Sequence, residues 1–189
     1  MSDAVLFATS NHGKLKEARV ILAPYGITVE SIDAKGEEIQ ADSTAKVAAH
    51  SAKAAAARLG RAVLVEDAGL SVDSLNGFPG PYSAYVLRTI GIAGIIELLG
   101  KSSRRGAHFS SSVAYCEPSE SPRVFEGIVE GRVAGSPAGR NGFGFDPIFI
   151  AKGHRKTFGE LTTEEKSGLS HRGTALRKFA AWYTSPATQ

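Results

Sequence analysis

AVLFATSNHGKLKEARVILAPYGITVESID, residues 4–33, decides the fold. Its opening apolar run has the length of a strand and ends in the polar Thr9, Ser10 and Asn11. From Gly13 onward, Leu15, Ala18, Ile21 and Leu22 recur at helical spacing on one face, and Gly26 stops the pattern. Ile27 to Asp33 reads as a second strand. Strand, polar turn, amphipathic helix and strand make one βα unit, the repeat from which α/β domains are built.

The alternation continues outward. Asp42 or Ser43 caps an alanine-rich helix to Leu59, which Gly60 closes. AVLVED (62–67) is apolar on successive residues, as expected of a strand covered on both faces, with two carboxylates at its end. After the turn-rich LNGFPGPYS (75–83) comes a helical segment around YVLRTIGIAGIIELLG (85–100). Two long alternating runs, AHFSSSVAYCE and RVFEGIVEGRVAG, are joined by PSESP and read as an antiparallel hairpin. PIFIAKG (147–153) adds a strand, Thr162 and Glu165 form a capping box, and Ser170 caps a last helix through LRKFAAWY. No repeat or linker interrupts the chain. The expected architecture is α/β: one domain over residues 1–189, with a mixed sheet, helices on both sides and a hairpin lobe.

At 189 residues, such a domain buries roughly 70% of its unfolded surface and requires no disulfide staple. The single cysteine, Cys116, excludes an intramolecular disulfide and suits a packed thiol in a reducing compartment. The N-terminal apolar run is too short for a signal or a membrane span, so a soluble, cytoplasmic protein is expected. A formal charge of +3 without a block of like charges permits anionic partners and does not indicate a nucleic-acid tail.

Four segments carry chemistry. SNHGK (10–14) is not a P-loop, because Ala8 and Leu15 stand where that pattern needs glycine and a hydroxyl. A strand-to-helix turn still exposes N–H groups at the positive end of a helix dipole, and Lys14 adds a cation, so an anion would be stabilised there; equally, Asn11 and Lys14 could simply cap and solvate the helix. In VEDAGL (65–70), Glu66 and Asp67 face opposite ways, so one of them can enter a given cleft. With Glu37 or Glu38 after the second strand they could hold Mg²⁺, which favours hard oxygens, or they could be solvated turn acids. GRNGFGFDPIFI (139–150) suits either a loop presenting Phe143 and Phe145 to a flat base or a structural turn that buries them. In EEKSGLSHRG (164–173), His171 and Arg172 oppose the dipole of the helix they begin, a conflict that a bound anion or a neutral histidine would relieve.

In this order, TSNHGK, EIQAD, VEDAGL with NGFPGPYS, NGFGFDPIF and EEKSGLSHRG resemble the inosine triphosphate pyrophosphatase family, from about Val5 to Trp182. The resemblance implies a two-lobed fold around a long mixed β-sheet, the active cleft between the lobes, and a homodimer. It implies hydrolysis of deaminated purine nucleoside triphosphates (ITP, dITP, XTP) to monophosphate and pyrophosphate, with Mg²⁺ or Mn²⁺ as cofactor. Thr9, Ser10, Asn11, His12, Gly13 and Lys14 match the phosphate end. Glu38 and Asp67 match the metal-binding acids, with Asp67 also the proton acceptor, and Ala68 adjoins them. Phe143, Gly144, Phe145 and Asp146 match the base loop, and Lys166, His171 and Arg172 the remaining substrate contacts. Ser10 and Ala68 depart from the family pattern, which has glycine at the first and a hydroxyl residue at the second in many members; a contact at 68 through the backbone would tolerate alanine. Two other readings are a Maf-type pyrophosphatase acting on other nucleotides and a non-enzymatic nucleic-acid module built on Arg104, Arg105 and KGHRK (152–156).

Overall fold

The structure, a computed structural model, describes residues 4–34, 36 and 39–186. The opening unit is β1 (Val5–Ala8), α1 (His12–Leu22) and β2 (Val29–Ile32). It is followed by α2 (Thr44–Leu59), β3 (Val63–Val72), α3 (Ser83–Thr89) and α4 (Gly91–Leu99). The hairpin is β4 (Gly106–Cys116) and β5 (Arg123–Val133), and β6 (Phe149–Ala151), α5 (Thr163–Leu169) and α6 (His171–Tyr183) complete the chain. One six-stranded sheet has the order β2-β1-β3-β4-β5-β6. β1 pairs in parallel with β2 and β3, and every later pairing is antiparallel.

Local chemistry sets most boundaries as expected. Ser43 rather than Asp42 caps α2, accepting from the Lys46 N–H, and Gly60 closes it at φ 61°. Thr162 and Glu165 form the capping box of α5. Ser170 ends α5 and also caps α6 through the Gly173 N–H at 3.1 Å, so two helices meet at one residue.

Three expectations are corrected. Glu66 and Asp67 do not follow a strand end: β3 continues through them to Val72, paired with β4 over its whole length. The apolar segment after residue 83 is two helices that meet at 112°, broken where Gly91 takes φ 64°. PIFIAKG contributes only three strand residues, because Pro147 lies in a 3-10 turn over Asp146–Ile148. No single helix among the described residues is long and apolar enough to cross a membrane.

Each sheet face has its own packing. α2 covers Val63, Val65, Ala114 and Cys116 on one side. On the other, α1 and α6 bury Phe7, Leu64, Val113 and Phe179, while the hairpin end carries a second core around Leu70, Phe109, Phe149 and Phe158. Cys116 is 1% exposed, a packed thiol whose pKa burial pushes up.

Candidate active site

The site arises from a mismatch in strand length. β1 stops at Ala8 and touches β3 at the Phe7–Leu64 register, whereas β3 runs eight residues further. Beyond Leu64 the β1-facing edge of β3 therefore has no neighbouring strand. Its backbone groups are met piecemeal: the Glu66 carbonyl accepts from Lys14 Nζ at 2.9 Å, Leu70 N–H donates to Ser83 Oγ at 2.8 Å, and Val72 N–H donates to the Phe78 carbonyl at 3.2 Å. By strand alternation the backbone groups of Ala68 point off the same edge. A cleft of about 1320 Å³ opens there, spacious beside an ordinary small-molecule pocket.

Thr9, Ser10, Asn11 and Lys14 reach the cleft wall; His12 and Gly13 do not line it. The turn is tightly organised: Asn11 N–H donates to Thr9 Oγ1 at 3.1 Å, and Asn11 Oδ1 accepts from Lys14 N–H at 3.1 Å. These bonds leave the His12 and Gly13 N–H groups without an intrahelical acceptor. Gly13 is required for a packing reason as well, because a Cβ there would collide with the Phe143 ring.

Glu66 and Asp67 diverge to the two faces of β3. Asp67 shares the α2 side with Ser112, its β4 partner, and lines the cleft half-buried. Glu66 turns to the α1–α6 side and has no side-chain exposure. Arg172 Nε lies 3.1 Å from its Oε1, Ser111 Oγ donates to the same oxygen at 2.6 Å, and Lys14 Nζ lies 2.9 Å from Oε2. Burial by itself would raise its pKa; Arg172 and Lys14 outweigh that and hold the carboxyl far below the usual range.

From Glu66 an alternating chain of charges runs inward. Arg172 Nη1 reaches Glu17 Oε2 at 2.6 Å, Lys166 Nζ reaches Glu17 Oε1 at 2.7 Å, and the same ammonium reaches Asp146 Oδ2 at 2.6 Å. Lys14, Arg172 and Lys166 thus alternate with Glu66, Glu17 and Asp146. Despite burial, Arg172 and Lys166 hold the Glu17 carboxyl low, whereas burial pushes Asp146 up against the pull of Lys166.

This network bears on both readings of the α6 start. Two buried carboxylates, Glu17 and Glu66, compensate Arg172. His171 escapes the conflict by staying neutral, since burial and then the positive charges of Arg172 and Lys166 drive its pKa well below 6.5. Its ring stacks on Phe109 at 4.6 Å, and its buried Nδ1 has no hydrogen-bond partner among the described residues.

The 139–150 loop separates its two phenylalanines. Phe145 is 3% exposed and belongs to the hydrophobic core, although it still borders the cleft. Phe143 is half-buried, with Lys166 and Arg172 at 4.8 and 5.1 Å from its ring centroid, and its N–H donates to Asp146 Oδ2 at 2.7 Å. Gly144, with φ 64°, lines the cleft beside them.

Glu17 is the member that sequence reasoning missed. The signal available was an acid among the apolar positions of α1, three residues after Lys14, which puts both on one helix face. Glu38 lies outside the described residues. Among the described residues no group of three or more His, Cys, Asp or Glu could hold a metal by itself. A hard cation bound at Asp67 would need further oxygens from Glu38, substrate phosphates and water, a donor set that fits Mg²⁺.

A nucleotide-sized cleft at the free edge of a mixed sheet, with an amide-rich turn on one wall and a half-buried aspartate beside it, marks an α/β enzyme for phosphate-bearing ligands. The chain belongs to the Ham1 family, whose model matches residues 5–182. It is 54% identical over 179 residues to the dITP/XTP pyrophosphatase of Methanopyrus kandleri, covering 95% of each chain. It is 49% identical to that of Thermococcus kodakarensis, covering 93% of this chain and 95% of the relative. The Ham1 protein structure from Coxiella burnetii is similar with a TM-score of 0.84 at 30% identity, covering 97% of this chain and 99% of the other. That from Staphylococcus aureus gives 0.81 at 32% identity, covering 95% and 97%.

Proposed function

We propose that the protein hydrolyses deaminated purine nucleoside triphosphates, dITP, ITP and XTP, to the nucleoside monophosphate and pyrophosphate. The observation that carries the reading is the convergence of Lys14, the Asn11 turn, Asp67 and the Ala68 backbone on one cleft beside the free edge of β3.

In this reading the phosphate tail lies along the Thr9–Lys14 turn and takes hydrogen bonds from its amides and from Lys14. Asp67 and Glu38 would hold Mg²⁺ or Mn²⁺, which supplies charge neutralisation at the phosphates. Asp67 accepts the proton of the attacking water. Ala68 contributes only its backbone, so the missing hydroxyl costs little. The base lies toward Phe143, Gly144 and His171. In the tautomer with hydrogen on Nδ1, His171 donates to the 6-oxo group of hypoxanthine or xanthine; adenine presents an amine there and strands that donor, a loss of about 1–3 kcal/mol.

The exposed Tyr85 of α3, Leu98 of α4 and Ile90 between the two helices support a homodimer, and the lone buried thiol suits the cytoplasm. Pyrophosphate release from dITP, XTP, ITP, ATP, GTP and pyrimidine triphosphates, with and without EDTA, tests the proposal. Preferential release from the deaminated purines, abolished by EDTA, is expected; release from pyrimidine triphosphates alone would indicate Maf-type specificity.

A further inference from the structure

We infer that Glu66 is a positioning residue that aims Lys14 at the phosphate end of the cleft, an inference that rests on the hydrolase reading above. Glu66 borders the cleft through its backbone, but its side chain has no exposed surface, so the carboxylate does not itself touch substrate. It grips the lysine with two oxygens of one strand residue: Oε2 and the backbone carbonyl each lie 2.9 Å from Nζ. A lysine ammonium has three donors on a flexible stem, and this grip fixes its place while leaving a donor for the cleft, where 19% of the Lys14 side chain is open. Glu66 is in turn fixed by Ser111 Oγ at 2.6 Å and Arg172 Nε at 3.1 Å, both on its other carboxylate oxygen. The anchor is therefore built into β3, β4 and α6.

The charge balance of the cluster predicts a particular kinetic signature. Three cations face three carboxylates. Glu66→Gln keeps the side-chain volume and leaves one positive charge in excess. Ground-state attraction for a triphosphate then persists or grows, while the aim of Lys14 is lost. A loss confined to the transition state lowers kcat without raising KM.

The test is steady-state pyrophosphate release from dITP by wild type, Glu66→Gln, Lys14→Ala and the double variant, across a Mg²⁺ titration. Glu66→Gln is expected to lower kcat about 10- to 100-fold with KM unchanged or lower. In the Lys14→Ala background it should cost less than about 3-fold more, because the residue it acts through is gone. The half-saturating Mg²⁺ concentration should not move. An equal kcat loss in both backgrounds, a higher KM at constant kcat, or a roughly tenfold rise in the Mg²⁺ requirement would each overturn the role. Should Glu66→Gln fail to fold, Ser111→Ala keeps every charge and loosens the same anchor; it is expected to lower kcat about 2- to 10-fold at constant KM, and an unchanged kcat would overturn the inference. Wild type that releases no pyrophosphate from any deaminated purine triphosphate would instead overturn the hydrolase reading itself.

Discussion

Glu66 points from β3 toward α6 and is wholly enclosed by Arg172, Lys14 and Ser111; Asp67, one residue on, points to the α2 side and keeps part of its surface in the cleft. A strand turns successive side chains to opposite faces, so adjacent acids of the same chemistry meet different surroundings. The enclosed carboxylate would be very costly to bury alone, and the molecule matches it with two cations. The open one remains within reach of a ligand and water. Sequence proximity of two acids is therefore no evidence that they share a metal.

The comparison can be broken most directly at Asp67. Asp67→Asn is expected to fold normally and to lose turnover by about 10²- to 10⁴-fold, read as pyrophosphate release at saturating Mg²⁺. Near-normal hydrolysis would remove Asp67 from the chemistry and erase its contrast with Glu66. On the enclosed side, Arg172→Met removes the cation that Glu17 and Glu66 share, leaving each with a single lysine, and should cost about 3–5 kcal/mol of stability in urea unfolding. A loss below about 1 kcal/mol would mean that the network is not a matched one.

Lys14 joins the two sides. Lys14→Ala should weaken binding of a non-hydrolysable triphosphate about 10- to 100-fold in calorimetry while leaving monophosphate binding nearly intact. Equal losses would detach Lys14 from the phosphate end. The smallest expected effect is a pH slope from His171. Its folded pKa is driven well below 6.5 by burial and then by Arg172 and Lys166. The unfolded chain takes up a proton there that the native state refuses, so its contribution is complete above pH 6.5 and declines as pH falls, at up to about 1.4 kcal/mol per pH unit. His171→Asn should flatten the stability profile between pH 6.5 and 5, and an unchanged slope would show that native His171 takes up its proton as readily as the unfolded chain does.

Much of the fold is legible because its signals are local. The βα unit, the hairpin and the caps at Ser43, Thr162 and Ser170 follow from periodicity and from side chains that bond amides three residues away. Where the expectations failed, a distant partner had overridden them. β3 continues through two acids because β4 supplies a ladder along its whole length. Between the two readings open for Phe145, burial is realised by a core that forms only when the hairpin and the 139–150 loop meet.

The candidate site divides in the same way. Part of the cleft lining, Lys14, Asp67 and Phe143 among it, could be named from motif order alone. Glu17 could not, since its partners Lys166 and Arg172 lie 149 and 155 residues away. Nor could the neutrality of His171 or the enclosure of Glu66. Short-range hydrogen bonds and apolar spacing are properties of a segment and are written in it, whereas the charge state and exposure of an ionisable group depend on which remote groups surround it. Those neighbours are assembled only when α1, β3 and α6 close on one another, and that closure encloses Glu66 while Asp67 keeps surface in the cleft.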